Sequence, residues 1–214
     1  MAITPRKRLT AEERRSAILD SALEVFAERG YHPTSIDDIA RAAGISKALI
    51  YEHFASKQQL HADLIEVHAG ELFERLGQAV ERVDPTDGEE RLKAGLDAYF
   101  RFVEQHQPAW RILFRQALDR ESAEVLDRII AQVTAVVAAL IAQDPGAYAQ
   151  EETPQERERR IQLLAQLLVG SVQSVANWWA DNHDVSRATI IENAMDFMWL
   201  GLQRMSEGAR WQPG

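Results

Sequence analysis

The chain has 214 residues, 46% of them hydrophobic, which allows one large or two modest domains with a real core. The absence of cysteine excludes a disulfide scaffold and thiolate metal sites, and suits a reducing cytoplasm. The net charge of −9 argues against nucleic-acid binding until its distribution is read: residues 1–60 hold nine Lys/Arg against eight Asp/Glu, and the remainder is strongly acidic.

The elements follow in chain order. Arg6, Lys7 and Arg8 form a basic arm, followed by Leu9-Thr10-Ala11-Glu12 and not by the apolar stretch of a secretory signal. A first helix is expected over about 10–29, with Ile18, Ala22 and Phe26 at helical spacing. After a break from Gly30 to Pro33, Thr34 caps a second helix over about 34–42, with Asp37 three residues on. Ile36, Ile39 and Ala40 are its inward stripe. Gly44 stops it, because glycine takes a left-handed backbone without steric cost. Ser46 caps a third helix over about 46–53. Ile50 and Phe54 face inward, leaving Lys47, Ala48, Leu49, Tyr51 and His53 for the other faces. Two short helices joined by a glycine turn, the second with an outward polar face, make a helix-turn-helix.

The stretch ERRSAILDSALEVFAERGYHPTSIDDIARAAGISKALIYEHFASKQQL, within about Thr10 to Leu60, resembles the N-terminal domain of TetR-family transcriptional regulators. The Thr-Ser pair opening the second helix, the Ala-Gly-hydrophobic-Ser-Lys turn, the Tyr-x-x-Phe ending and the Ser56-Lys57 opening of a fourth helix carry the likeness. It implies an all-α fold with a DNA-binding head at 1–56 and an effector-binding, dimerising body at 57–214. It further implies a cytoplasmic homodimer on palindromic double-stranded DNA, most naturally a repressor, with a small-molecule effector and no cofactor. Tyr51, His53 and Lys57 are similar to the family's phosphate-contacting positions. Leu49 departs from the polar residue that much of the family carries.

Chemistry at the head follows from the side chains. The Thr34 and Ser35 hydroxyls, with the helix N-terminus behind them, suit a phosphate. Lys47 reaches a guanine edge or a phosphate, and Ala48 and Leu49 suit thymine methyl groups. Arg6 to Arg8 suit the minor groove. Glu52 is an acid on a helix meant for DNA, so it points sideways or accepts from a cytosine amine.

Beyond the head, further helices are expected over about 56–82, 88–105, 109–118, 121–142, 153–182 and 186–206, nine in all. The longest apolar run, Ala135 to Ala142, is too short to cross a bilayer, so no membrane is expected. The eighth helix carries two apolar stripes. One of them, Leu163, Leu167, Ser171, Ser174 and Trp178, has small residues that allow close approach. On the ninth helix Met195, Met198 and Leu202 form the matching stripe. Together they predict a four-helix bundle across a two-fold axis. Aromatic residues with sparse polar neighbours (His68, Phe73, Tyr99, Phe100, Trp110, Phe114, Asn177 and Trp178) predict a site for an apolar effector. The resemblance implies such a cavity walled by helices four to eight.

No G-x-S-x-G, glycine-rich phosphate loop or H-E-x-x-H occurs, so no enzyme is expected. His61 and His68, two turns apart on one helix, are too far apart to ligate one metal jointly, and are read as solvated or pocket residues. The rival readings are an activator, a DNA-binding regulator without small-molecule control, and a helical enzyme.

Overall fold

The computed structural model describes residues 10–107, 110, 119–143, 153–182 and 184–207. These residues form helices and no strand: α1 (Ala11–Arg29), α2 (Ile36–Ala43), α3 (Lys47–Tyr51), α4 (Lys57–Glu81), α5 (Gly88–Gln105), α6 (Arg120–Ala142), α7 (Pro154–Trp179) and α8 (Arg187–Ser206). The helix expected over 109–118 lies outside the described residues apart from Trp110, as do Arg6, Lys7, Arg8 and Phe114. The elements expected as seventh, eighth and ninth are therefore α6, α7 and α8.

The helices start where polar side chains take up orphan backbone N–H groups. Thr10 and Glu13 close a capping box on α1, and Thr153 and Glu156 close another on α7, where Pro154 occupies the first turn. Asp87, Asp119 and Ser186 cap α5, α6 and α8. In the head, Gly44 ends α2 at φ 65°, a left-handed position that a side chain resists.

One correction falls at the start of α2. The cap is Ser35, not Thr34, and its box partner is Asp38, not Asp37. Thr34 is 2% exposed and its hydroxyl donates to the Gly30 carbonyl at 2.7 Å. It closes the α1–α2 turn from inside.

The core runs as one cluster from the head into the body, including Phe26, Ile39, Ile50 and Phe54 in the head and Phe100, Phe102, Ala176 and Trp179 in the body. The helix α4 belongs to both parts. The His61 ring, on its second turn, lies 5.5 Å from Phe26 and 4.5 Å from Tyr31, and Asp63 pairs with Arg15 of α1 at 2.7 Å. Further along, α4 packs on α5 and α6, α6 on α7, and α5 on α8. A smaller cluster of Ala138, Ile161 and Ala165 joins the far ends of α6 and α7. By length and composition α6 is apolar enough to cross a membrane, a longer apolar stretch than the run Ala135–Ala142 suggests. It packs against α4 and α7, yet only 17% of that stretch is buried within the single chain.

Candidate nucleic-acid interface

The third helix is only five residues long, so its neighbours must fix it. Ser46 accepts from the Leu49 amide at 3.2 Å, and Ile50 and Phe54 are buried at 0% and 1% exposure. This pins the inward face and leaves Lys47, Ala48 and Tyr51 exposed, with Leu49 and His53 half-buried at the edges. Tyr51 projects with 48% of its surface free. These are the residues that the spacing leaves for the outward faces, with Leu49 and His53 less exposed than the rest.

The charges on that face are partly paired within the head. Lys47 Nζ donates to Asp37 at 2.7 Å, and this hydrogen bond, then the carboxylate's charge, raises the ammonium above its ordinary range. Both groups are about half exposed, so the pair is weak and exchangeable for a stronger anion. Arg41, which the sequence reading did not select, is 74% exposed and pairs with Asp38 at 3.2 Å. A basic residue in the last turn of α2 was the available signal.

Three expected phosphate contacts sit differently. Thr34 is buried, as above. The Ser35 hydroxyl donates to Asp38 at 2.5 Å, and this bond, with one from the Ser35 amide, holds the Asp38 carboxyl below the usual range. A carboxylate thus already caps the N-terminus of α2, where the anion was expected. Lys57 is committed inward. Its Nζ donates to the carbonyls of Tyr31, Thr34 and His32 at 3.0, 3.0 and 3.3 Å and lies 4.3 Å from the Tyr31 ring centroid. Burial lowers this ammonium below the ordinary lysine range. Lys57 staples the start of α4 to the α1–α2 turn.

Beside that staple, a buried polar chain joins head to body. His61 is fully buried, contrary to its reading as a solvated or pocket residue, and its Nδ1 lies 2.9 Å from the Ser122 hydroxyl. Ser122 donates its single proton to Asp119 at 3.2 Å, so His61 is the donor from Nδ1. Burial alone would raise the Asp119 carboxyl. Contacts from the Tyr31 hydroxyl and from Ser122 outweigh it and hold that carboxyl low. Tyr31, His61, Ser122 and Asp119 thus link the α1–α2 turn, α4 and the start of α6.

In the body, the expected effector residues divide. Phe100 and Trp110 are buried at 0% and 3%. Tyr99 meets Trp110 edge to face at 5.6 Å, and Phe100 meets Trp179 at 5.8 Å. Trp110 Nε1 donates to Asn177 Oδ1 at 3.3 Å, which occupies the polar handle expected for a ligand. Among the described residues these rings interlock. His68 and Phe73 are half-buried nearby in sequence on α4, and Trp178 points out, 50% exposed. Two surface concavities lie elsewhere. One of about 410 Å³ is lined by Gln58, Asp119, Arg120, Glu121 and Glu124. The other, about 510 Å³, lies between the alanines of α6 and the first turns of α7, including Arg157 and Ile161.

The outer face of α7 keeps Leu163, Leu167 and Trp178 exposed at 61%, 60% and 50%, with Ser174 exposed and Ser171 half-buried. On α8 the expectation is corrected. Met198 is 6% exposed and belongs to the core, while Met195 and Leu202 are half-buried. The outward residues are Phe197 at 76% and Leu200 at 51%. Gly170 and Gly201 stand on the two helices with open space where a Cβ would be.

Comparison with known proteins agrees with this architecture. Residues 18–64 match the family model "Bacterial regulatory proteins, tetR family", and residues 89–201 match "Tetracyclin repressor-like, C-terminal domain". The chain is 31% identical over 205 residues to the HTH-type transcriptional activator FasR of Mycolicibacterium smegmatis, covering 92% of this chain and 87% of that one. It is 37% identical over 93 residues to the HTH-type transcriptional repressor KstR2 of Mycobacterium tuberculosis, covering 44% and 46%. The crystal structure of a TetR-like transcriptional regulator from Rhodococcus sp. RHA1 superposes with a TM-score of 0.71 at 27% identity, covering 92% of this chain and 99% of that one. A helix-turn-helix head, an all-helical body and a relative matched along nearly the whole chain lead to one statement: the chain belongs to the TetR family and is a DNA-binding transcriptional regulator.

Proposed function

We propose that the chain is a cytoplasmic repressor that binds a palindromic operator as a homodimer and is released by a small, largely apolar effector. The observation that carries this reading is the exposed face of α3. Lys47, Ala48 and Tyr51 stand out of a helix whose other side is locked by Ile50 and Phe54. Lys47, Tyr51 and His53, with Ser46 at the helix start, take phosphates and base edges, and the basic arm Arg6 to Arg8 adds charge. Ala48 and Leu49 lie against thymine methyl groups. Residues 1–56 act as the head and 57–214 as the body. Two heads about 34–36 Å apart meet successive major grooves.

The exposed stripes of α7 and α8 supply the dimer contact. The effector seats by parting Tyr99 from Trp110 and taking over Asn177, and it favours an arrangement of heads that no longer fits one turn of DNA. FasR is named an activator and KstR2 a repressor. The sign depends on where the operator lies against the promoter, and a reporter with the native upstream region reads it directly.

Titration of labelled genomic fragments at two salt concentrations tests the core of the proposal. Retention is expected to fall steeply with salt, as several phosphate contacts per subunit require. Failure to retain any fragment at low salt would falsify it. Lys47→Ala and Tyr51→Phe are each expected to weaken binding by about 1–3 kcal/mol with unchanged melting. Lys47→Ala also leaves the exposed Asp37 carboxylate unneutralised on the DNA side, so it should be the worse of the two. Normal binding by both variants would move the DNA-facing side away from α3.

A further inference from the structure

The geometry points to a binding site for a divalent first-row transition metal ion at His68, Glu71 and His106, clamping α4 to the end of α5. His68 and Glu71 stand three residues apart on one face of α4, and His106 is the residue that caps α5. His68 Nδ1 lies 3.8 Å from Glu71 Oε2, and His106 Nε2 lies 3.5 Å from Glu71 Oε1. All three ligand atoms fall within 4.8 Å of one another. Ligands on a tetrahedral ion with bonds of about 2.0–2.1 Å stand about 3.3–3.5 Å apart. Closing the cluster by less than the length of one bond therefore fills three of the four tetrahedral positions, with one left for water.

Two further observations favour an ion over a plain polar cluster. Both imidazole nitrogens are buried and have no hydrogen-bond partner among the described residues. Buried nitrogens in that condition need an explanation, and here both converge on one carboxylate. The surroundings are also built to hold the ligands still. Arg75 donates to Glu71 Oε1 at 2.6 Å and to Gln105, leaving Oε2 toward His68. Phe102 stacks on the His106 ring at 4.4 Å, and the Arg75 guanidinium lies 5.6 Å from the Phe102 ring centroid. A ligand that is itself oriented by a second layer of contacts is the ordinary condition of a metal site.

The donor set selects the ion. Two imidazoles and one carboxylate suit zinc and its neighbours, whereas calcium and magnesium ask for oxygen. An anionic guest is disfavoured, since it would meet Glu71 between the two rings. Arg75 limits the affinity by repulsion, so the ion exchanges. The consequence would reach the DNA face, because α4 is stapled to the α1–α2 turn by Lys57 and abuts Tyr31 through His61. The site itself does not rest on the repressor reading.

Calorimetric titration of the full-length, chelator-treated protein with zinc alone tests the proposal. One zinc per chain is expected. His68→Gln and His106→Gln should each weaken binding by about tenfold or more, while His32→Ala leaves it unchanged. Zinc should raise the melting temperature of the parent and not of these two variants. Should either histidine variant melt early, Glu71→Gln, which keeps the side chain's shape, decides by the same loss. No zinc binding, or binding that survives His68→Gln, His106→Gln and Glu71→Gln alike, overturns the site.

Discussion

Leu167→Glu is expected to turn the proposed dimer into a folded monomer and to remove operator binding at concentrations that saturate the parent. Leu167 is 60% exposed and Leu163, one turn away, 61%. Trp178 on the same helix and Phe197 and Leu200 on α8 extend the apolar surface. Single exposed apolar residues are ordinary, but a set of them on the outer faces of two helices is what an interface presents. The bare backbones of Gly170 and Gly201 lie in it with room for a partner helix to approach closely. Because Leu167 faces solvent in the single chain, a glutamate there costs the fold almost nothing. Across a two-fold axis the substitution enters the interface twice, so two carboxylates are desolvated together. That costs several kcal/mol, enough to empty a dimer of ordinary affinity. A monomer offers one recognition helix and forfeits the second half-site. Sedimentation should give the monomer mass with an unchanged helical circular dichroism spectrum. Ser171 is a poorer probe, since its hydroxyl donates to the Leu167 and Leu168 carbonyls within α7 and its loss disturbs the helix itself. A stable dimer after both Leu167→Glu and Phe197→Glu would place the interface elsewhere.

What the sequence disclosed and what it hid divide along the range of the interactions involved. Caps, the glycine stop and the pair Ile50 and Phe54 act over three or four residues, so the head was legible in detail. Even there, neighbouring hydroxyls misled: Thr34 and Ser35 each have an aspartate three residues on, and both fit a capping box. Only the burial of Thr34 against the Gly30 carbonyl separates them. On α8, Phe197 and Met198 sit on adjacent stripes of similar apolarity. Which stripe turns inward is decided by α5, packed against it from ninety residues earlier in the chain. Lys57 read as a phosphate contact because its partners are carbonyls 23 to 26 residues away, a pairing that no local pattern announces. For the same reason His68 was compared with His61 on its own helix, while its actual neighbour is His106 on the next one.

These long-range contacts also carry the regulation proposed for the chain. The head does not touch the body through α4 alone. Asp119 and Ser122 at the start of α6 reach Tyr31 and His61, so a shift of α6 is felt at the α1–α2 turn without bending α4. Arg128 of α6 adds an exposed pair to Glu66 of α4 at 3.2 Å. An effector that parts Tyr99 from Trp110 need move α6 only slightly, because packed interfaces switch between discrete arrangements more readily than they deform.

Phe54→Ala is expected to open the head and abolish operator binding while the body remains dimeric. The ring is 1% exposed, one turn beyond Ile50, and the Arg15 guanidinium lies 5.0 Å from its centroid. Removing such a ring costs about 3–5 kcal/mol in lost burial and residual cavity. A unit of fifty-odd residues has little stability to spare against that loss, whereas the body carries Phe100, Phe102, Trp110 and Trp179 at a distance from the cavity. Arg15 would lose its aromatic face but keep Asp63, so the first failure should lie in α2 and α3, not in α1. Amide exchange should therefore rise to unprotected rates across α2 and α3, with α7 and α8 unchanged and the sedimenting species still a dimer. The competing outcome is a single transition in which head and dimer are lost together. The core is one continuous cluster through α4, and that result would mean it also melts as one, leaving the division at residue 57 without energetic content.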